Sequence, residues 1–350
     1  MTSNFQSIPI IDLSLAESPT RPELLKQLHY ALTQVGFLYV SSHGVPREAI
    51  QDLKDLLPRL FKLDQGTKEK GALHNSPHFL GYSHVGSEMT AGAEDKREQF
   101  EFATELPNIW REGRPLYERL KGPNQWPAED PQIQNVIESY IYELTQLGER
   151  FLTLVADALS VPAETLFSFL SDQHRLKLVH YPPSDSPDSA GQGVGPHKDS
   201  SGWWTFLLQA SPPHVKGLQA LNKDGEWIDI PVIEDTFVVN IGQAFEVVTH
   251  GFCKATTHRV SSGLMERYSV PFFQGVRGTL TKEEALGTLK DYFGAEKLSK
   301  VDAGAHIDSA FLCGKYDTWG ESQLRTKIRS HRDVGRKFYT GVFDQYVNDN

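Results

Sequence analysis

The sequence predicts an α+β fold: a jelly roll or sandwich of short strands flanked by N-terminal and C-terminal helices. Three observations carry this expectation. Apolar residues recur at helical spacing before residue 173, as in "RPELLKQLHYALTQVG" and in the stretch from Pro131 to about Ser160. After Gln173 the pattern changes to period two in short β-rich runs punctuated by Gly, Asn and Asp. Beyond residue 280 helical spacing returns, ending in "ESQLRTKIRSHRDVGRKFYTGVFDQY".

Taken in order, "IPIIDLS" is a β-branched run that predicts an opening strand. In "RPELLKQLHYALTQVG" Leu24, Leu25, Leu28, Ala31 and Leu32 share one helical face, with Pro22 near the start and Gly36 at the stop. "FLYVSSHGVP" reads as strand and turn. "REAIQDLKDLLPRLFKLD" reads as a helix burying Ile50, Leu53, Leu57 and Leu60, which Pro58 should kink. Residues from about 73 to 130 read as irregular, rich in Gly, Pro and charge, and serve either as a lid and substrate loop or as a surface connection. The long helix after Pro131 carries Ile133, Val136, Ile137, Tyr140, Leu144, Leu147, Phe151, Val155 and Leu159 as its stripe, and "PAETLFSFLSD" adds a short one. Seven or eight strands follow, with "NKDGEW" as a hairpin turn. The expected organisation is a mixed N-terminal region 1–130, scaffold helices 131–172, a strand-rich core 173–280 and a helical cover 281–350.

Composition narrows the function. At 350 residues, 39% hydrophobic and 23% charged, the chain is ordinary for a globular protein with a sizeable core. A formal charge of −10 disfavours nucleic acid and anionic membrane as partners. Cys253 and Cys313 are too few for a disulfide framework or a thiolate zinc site. With no signal-like N-terminus and no apolar run of about 18 residues, a cytoplasmic monomer, or else a homodimer, acting on a small molecule is expected.

Within the strand-rich stretch, "GPHKDSSGWWTF" places His197 and Asp199 at i and i+2, on one face of a strand. His258 in "KATTHRV" offers a third ligand from another strand. Two imidazoles and a carboxylate on one face leave open positions on an octahedral metal, the pattern of non-haem Fe(II) oxygenases. Nine residues on, "RYS" sets Arg267 and Ser269 on a shared face, where a guanidinium fork and a hydroxyl suit a carboxylate. By the same parity Lys177, Val179 and Tyr181 share a face, and the Tyr181 phenol can add a hydrogen bond.

The order "HKD", "THRV", "RYS", together with "IPIIDLS", "GFLYVSSHGVP", "GYSHVGSE", "KREQFEF" and "VNIGQAFEVVTHGFCKATTHRV", resembles the iron- and 2-oxoglutarate-dependent dioxygenases of the isopenicillin N synthase-like family over most of the chain. That resemblance implies a double-stranded β-helix core. It implies Fe(II) on His197, Asp199 and His258, and 2-oxoglutarate held by Arg267, Ser269 and Tyr181. It further implies O2 as co-substrate and coupled hydroxylation, desaturation or ring closure of a small molecule in specialised metabolism. The same architecture also serves 2-oxoglutarate-independent oxidases, ethylene-forming enzymes that fragment 2-oxoglutarate, and silent binding proteins.

Two departures stand out. Gln243 occupies the position that is commonly Asp in "NIGD", and one extra residue lies between Asp199 and Thr205, where a bulge would re-aim the tryptophans. Of the adjacent Trp203 and Trp204, one at most can face the pocket, and parity does not say which. Phe273 is either a substrate contact or a core aromatic, and Lys177 either steers carboxylates or is a solvated strand-end lysine. His180 and His250 read as packing or surface histidines, and "HID" at His306 and Asp308 lacks a following Arg-x-Ser on a strand.

Overall fold

The computed structural model describes the chain except residues 1–3, 91, 129, 185–190, 294–306, 308 and 349–350. Its strands, in chain order, are β1 Ile10–Asp12, β2 Phe37–Ser41, β3 Gly81–Ser83, β4 Met89–Thr90, β5 Ala93–Glu94, β6 Glu98–Ala103, β7 Arg175–Tyr181, β8 Gln192–His197, β9 Trp204–Gln209, β10 Leu218–Leu221, β11 Trp227–Asp229, β12 Thr236–Ile241, β13 His258–Ser261 and β14 Arg267–Phe273. Eight strands, in the order β1-β2-β12-β9-β14-β7-β6-β3, form the major sheet, and β11-β10-β13-β8 form the minor one. The two sheets make the jelly-roll core of an α+β fold.

Period-two patterning explains the layering. Along β9, Trp204, Phe206 and Leu208 turn to the helical side, while Thr205, Leu207 and Gln209 turn between the sheets. Phe37, Tyr39, Val179, Leu207 and Val238 meet Val194, Leu218, Ala220 and Val260 of the minor sheet in the barrel core. On the opposite face the helix Gln132–Leu159 lays its apolar stripe across the major sheet, with Phe151 edge-on to Trp204 at 5.2 Å and to Phe206 at 5.6 Å. Each such buried aromatic is worth roughly 1.5–3 kcal/mol relative to exposure. The helices Arg21–Tyr30 and Arg47–Phe61 pack on the same scaffold helix.

Local chemistry sets the boundaries. The first helix passes through a π turn, Ala31–Val35, and stops at Gly36, whose φ of 74° is left-handed and where a Cβ would collide with the Lys254 carbonyl. Pro58, expected to kink its helix, lies in the last turn of Arg47–Phe61, where few bonds depend on it. The hairpin turn is held by Asn222 Oδ1, which accepts from the Asp224 and Glu226 N–H groups at 3.1 and 2.9 Å.

The stretch from 73 to 130 corrects the irregular reading. β3 and β6 extend the major sheet beside β7, with Gln99 opposite Val179 and Glu101 opposite Lys177. Further along, the 3-10 turn at Leu116–Leu120 meets the helix Trp319–Ser330, and β4 and β5 lie beside β8. No helix among the described residues is long and apolar enough to cross a membrane. His306 and Asp308 of "HID" lie outside the described residues.

Candidate metal centre

His197 ends β8 and His258 opens β13, and the two stand opposite one another in antiparallel register. Asp199 lies just past the end of β8, where its backbone carbonyl accepts from the Gln243 N–H at 2.9 Å. The position that is commonly Asp thus begins the short helix Gln243–Val248 and braces the metal loop through its backbone. The ligand-capable atoms of His197, Asp199 and His258 all lie within 4.8 Å of one another. Asp199 Oδ1 is 3.5 Å from His197 Nε2 and 3.6 Å from His258 Nε2.

The remaining atoms of these side chains are engaged in the way a metal site requires. His197 Nδ1 bonds the Gly195 carbonyl at 2.7 Å and His258 Nδ1 the Thr256 carbonyl at 3.2 Å, which makes each Nδ1 the N–H and frees each Nε2 as a lone pair. Asp199 Oδ2 accepts from Thr205 Oγ1 at 2.5 Å and Asn240 Nδ2 at 2.7 Å, leaving Oδ1 to the histidines. Burial opposes ionisation of Asp199, but His258, His197 and the Thr205 hydroxyl together hold its carboxyl well below the usual carboxylate range. Burial and the neighbouring His197 push His258 down to about 4, so it stays neutral and able to ligate near pH 7. Two neutral imidazoles and one carboxylate fit Fe(II) with positions left open.

The three side chains face a cavity of about 370 Å³ between the sheets. Arg267, 3% exposed, opens β14 across this cavity, its carbon centre 4.8 Å from the Tyr181 ring centroid. Among the described residues, neither terminal nitrogen of its fork has a hydrogen-bond partner. An unpaired buried cation costs several kcal/mol, so this guanidinium fits a site for an anionic ligand. Ser269, 2% exposed, lines the same wall two residues along.

Of the expected substrate contacts, Phe273 and Lys177 do line the cavity. Lys177 is no solvated strand end, for its ammonium lies 3.6 Å from Glu88 and 3.7 Å from Glu101. The tryptophans correct the expectation, since neither Trp203 nor Trp204 lines it. Both are essentially fully buried on the helical side, Trp203 stacked on Phe169 at 5.4 Å and Trp204 edge-on to Phe245 at 5.3 Å. The extra residue is absorbed by the loop 198–203, which turns at Gly202 with φ 111°, so there is no bulge within β9. His180 packs outside the barrel against Tyr268, bonded to Glu98 and Glu266, and His250 is buried elsewhere.

What motif reading missed is a charged wall. Glu101, 1% exposed, faces Arg175 at 2.5 Å and Lys327 at 2.6 Å, the latter from the C-terminal helix. Glu88 binds Arg97 at 2.5 Å. Burial opposes ionisation of Glu101, but Lys327, Lys177 and Arg175 keep it an anion. The available signal was "EQFEFA", whose alternation sends Phe100 and Phe102 to the core and Gln99 and Glu101 inward.

Residues 8–129 match the family described as non-haem dioxygenase in morphine synthesis N-terminal, and residues 173–276 match the 2OG-Fe(II) oxygenase superfamily. The chain is 41% identical to the 2-oxoglutarate-dependent dioxygenase frbJ of Dothideomycetidae sp. (strain 11243), over 98% of this chain and 93% of that one. It is 32% identical to a homoarginine-6-hydroxylase of Glycine max, over 91% and 100%. A full-length Neurospora crassa protein solved in complex with alpha-KG (2-oxoglutarate) shares the fold with a TM-score of 0.71 at 22% identity, over 91% of this chain and 95% of that one. These relatives favour 2-oxoglutarate-dependent chemistry over the independent-oxidase, fragmenting and silent-binder alternatives.

Proposed function

Because this chain belongs to the 2OG-Fe(II) oxygenase superfamily and is a 2-oxoglutarate-dependent dioxygenase, we infer that His197, Asp199 and His258 are the residues that hold its iron, and that Arg267, Ser269 and Tyr181 receive 2-oxoglutarate. When bound, Fe(II) supplies the redox chemistry by which O2 and 2-oxoglutarate oxidise a substrate C–H bond, with succinate and carbon dioxide as by-products. The chain's own work is placement. The Gly195 and Thr256 carbonyls fix the two imidazole tautomers, and Thr205 and Asn240 fix the carboxylate rotamer. Arg267 offers two unpaired donors to the distal carboxylate of 2-oxoglutarate, and Ser269 a hydroxyl beside them. Val179, Leu207 and Val260 line the same cavity and limit water there.

One observation carries this reading: three converging free lone pairs face the same cavity as a buried guanidinium with an empty fork. The homoarginine-6-hydroxylase relative is named for a small polar substrate, and the charged wall of this cavity supports a small polar substrate here, with hydroxylation as the outcome. The test is succinate release by the iron-loaded chain against a panel of small polar compounds that includes homoarginine. Product gaining one oxygen per succinate is expected. Turnover without 2-oxoglutarate would overturn the co-substrate assignment.

A further inference from the structure

A second cavity, of about 230 Å³, adjoins the metal cavity, and Arg175, Ser201, Phe273 and Lys327 line both. The outer chamber has apolar walls at Ile109, Leu120, Val276 and Trp319, with the Tyr117 ring beside them. One helix connects the two. On Trp319–Ser330, residues 319, 323, 327 and 330 fall at helical spacing on one face, so Trp319 and Gln323 serve the outer chamber, Lys327 the boundary and Ser330 the metal chamber. Gln323 pins this face by donating to the Ser200 carbonyl at 2.7 Å, one residue from Asp199.

The charge at the boundary does not balance. Glu101 is a single anion facing Arg175, Lys327 and Lys177. Glu88, which Lys177 also approaches, is bonded to Gln99 and to Arg97, and Arg97 is shared with Asp95, so four cations (Arg97, Arg175, Lys177 and Lys327) face three anions (Glu88, Asp95 and Glu101). Arg175 spends its other terminal N–H donors on the carbonyls of His78, Phe79 and Leu120. Lys327 makes one hydrogen bond, to Glu101, and Lys177 has no oxygen within hydrogen-bond range among the described residues. Two ammonium groups therefore enter the chambers with spare donors and surplus charge.

We propose that the substrate of this enzyme carries an anionic group, a carboxylate, that seats against Lys327 and Lys177 at the boundary, while an apolar portion occupies the outer chamber. Arg267 is reserved for 2-oxoglutarate, so the inference rests on that assignment. Burial, with Arg175 and Lys177 nearby, pushes Lys327 down to about 8 despite Glu101, which accords with a cation that lacks enough counter-charge.

Calorimetry on the anaerobic Fe(II)-loaded chain, saturated with 2-oxoglutarate so that Arg267 is occupied, tests the proposal with three probes of one shape: 3-phenylpropanoate, 3-phenylpropanamide and 3-phenylpropylamine. The carboxylate should bind at least tenfold more tightly than the amide, and the amine most weakly. Lys327→Met should bring carboxylate and amide within about twofold of each other, and Lys327→Arg should keep most of the preference. Equal binding of the three probes to the wild type, a preference for the amine, or a full carboxylate preference in folded Lys327→Met would overturn it. The wild-type comparison decides the matter even if Lys327→Met does not fold. Iron uptake titrated separately on the metal-free chain keeps failure of the metal assignment distinct from failure of the anion site.

Discussion

Thr205 Oγ1 donates to Asp199 Oδ2 at 2.5 Å, and this bond, with that from Asn240, decides which carboxylate oxygen faces the two histidines. Such supporting partners typically govern ten- to hundredfold in metal affinity. Thr205→Val should therefore weaken iron binding by about that factor with the fold retained, while Asp199→Ala should remove most bound iron. Metal content after gel filtration reads both. Stoichiometric iron in Asp199→Ala would sink the ligand assignment.

On the proposed assignment, Arg267 receives the distal carboxylate of 2-oxoglutarate. A charge-assisted fork in a desolvated site is worth about 1.5–3 kcal/mol, so Arg267→Leu should raise the 2-oxoglutarate KM at least tenfold with iron content near wild type. Ser269→Ala should give a smaller loss. Co-substrate titrations on both variants separate this effect from metal loss, and an unchanged KM in Arg267→Leu would assign the carboxylate elsewhere.

Anion binding at the boundary should follow Lys327. Its ammonium, held down to about 8, faces Glu101 from β6 and Arg175 and Lys177 from β7. Affinity for 3-phenylpropanoate should be flat between about pH 6 and 7 and fall by up to tenfold per unit above pH 8. A profile flat to pH 9.5 would assign the charge to another group.

His174 couples stability to acid. Burial holds it down to about 4, and its Nδ1 accepts from the Gly275 N–H at 3.0 Å, a bond the protonated ring cannot make. The unfolded chain takes up this proton near pH 6.5. The stability it contributes is thus full above pH 6.5 and is lost as pH falls toward 4. His174→Gln should reduce the slope of unfolding free energy in that window by up to about 1.4 kcal/mol per pH unit, read from urea midpoints.

Trp204 belongs to the core. Trp204→Ala should cost about 3–5 kcal/mol of stability. Any folded fraction should keep the wild-type 2-oxoglutarate KM, and a selective rise in that constant would place the indole at the site after all.

The convergence of His197, Asp199 and His258 could be read from sequence because they lie at or next to strand ends, where i and i+2 parity and a later Arg-x-Ser point to one face. Parity failed at Trp203 and Trp204 because the loop 198–203, turning at Gly202, breaks the strand count. The charged wall was hidden for a different reason. Glu101 and Lys327 lie 226 residues apart, and neither makes sense until the sheet and the last helices are folded together. The short strand Glu98–Ala103 sits in a Gly- and Pro-rich stretch that local propensity reads as loop, and its pairing with β7 overrides that propensity.

The groups assigned to iron and 2-oxoglutarate span Tyr181 to Ser269, whereas the boundary between the chambers is shared by β6, β7 and the helix Trp319–Ser330. On the proposed assignments, the groups for oxidative chemistry and those for substrate choice therefore lie largely on separate stretches of one chain, with β7 contributing to both. A recombinant that exchanged the helix Trp319–Ser330 for a relative's would inherit a new preference with the old iron site intact, but only if it also brought a partner for Glu101. The Lys327 ion pair makes these two distant segments a single unit of exchange.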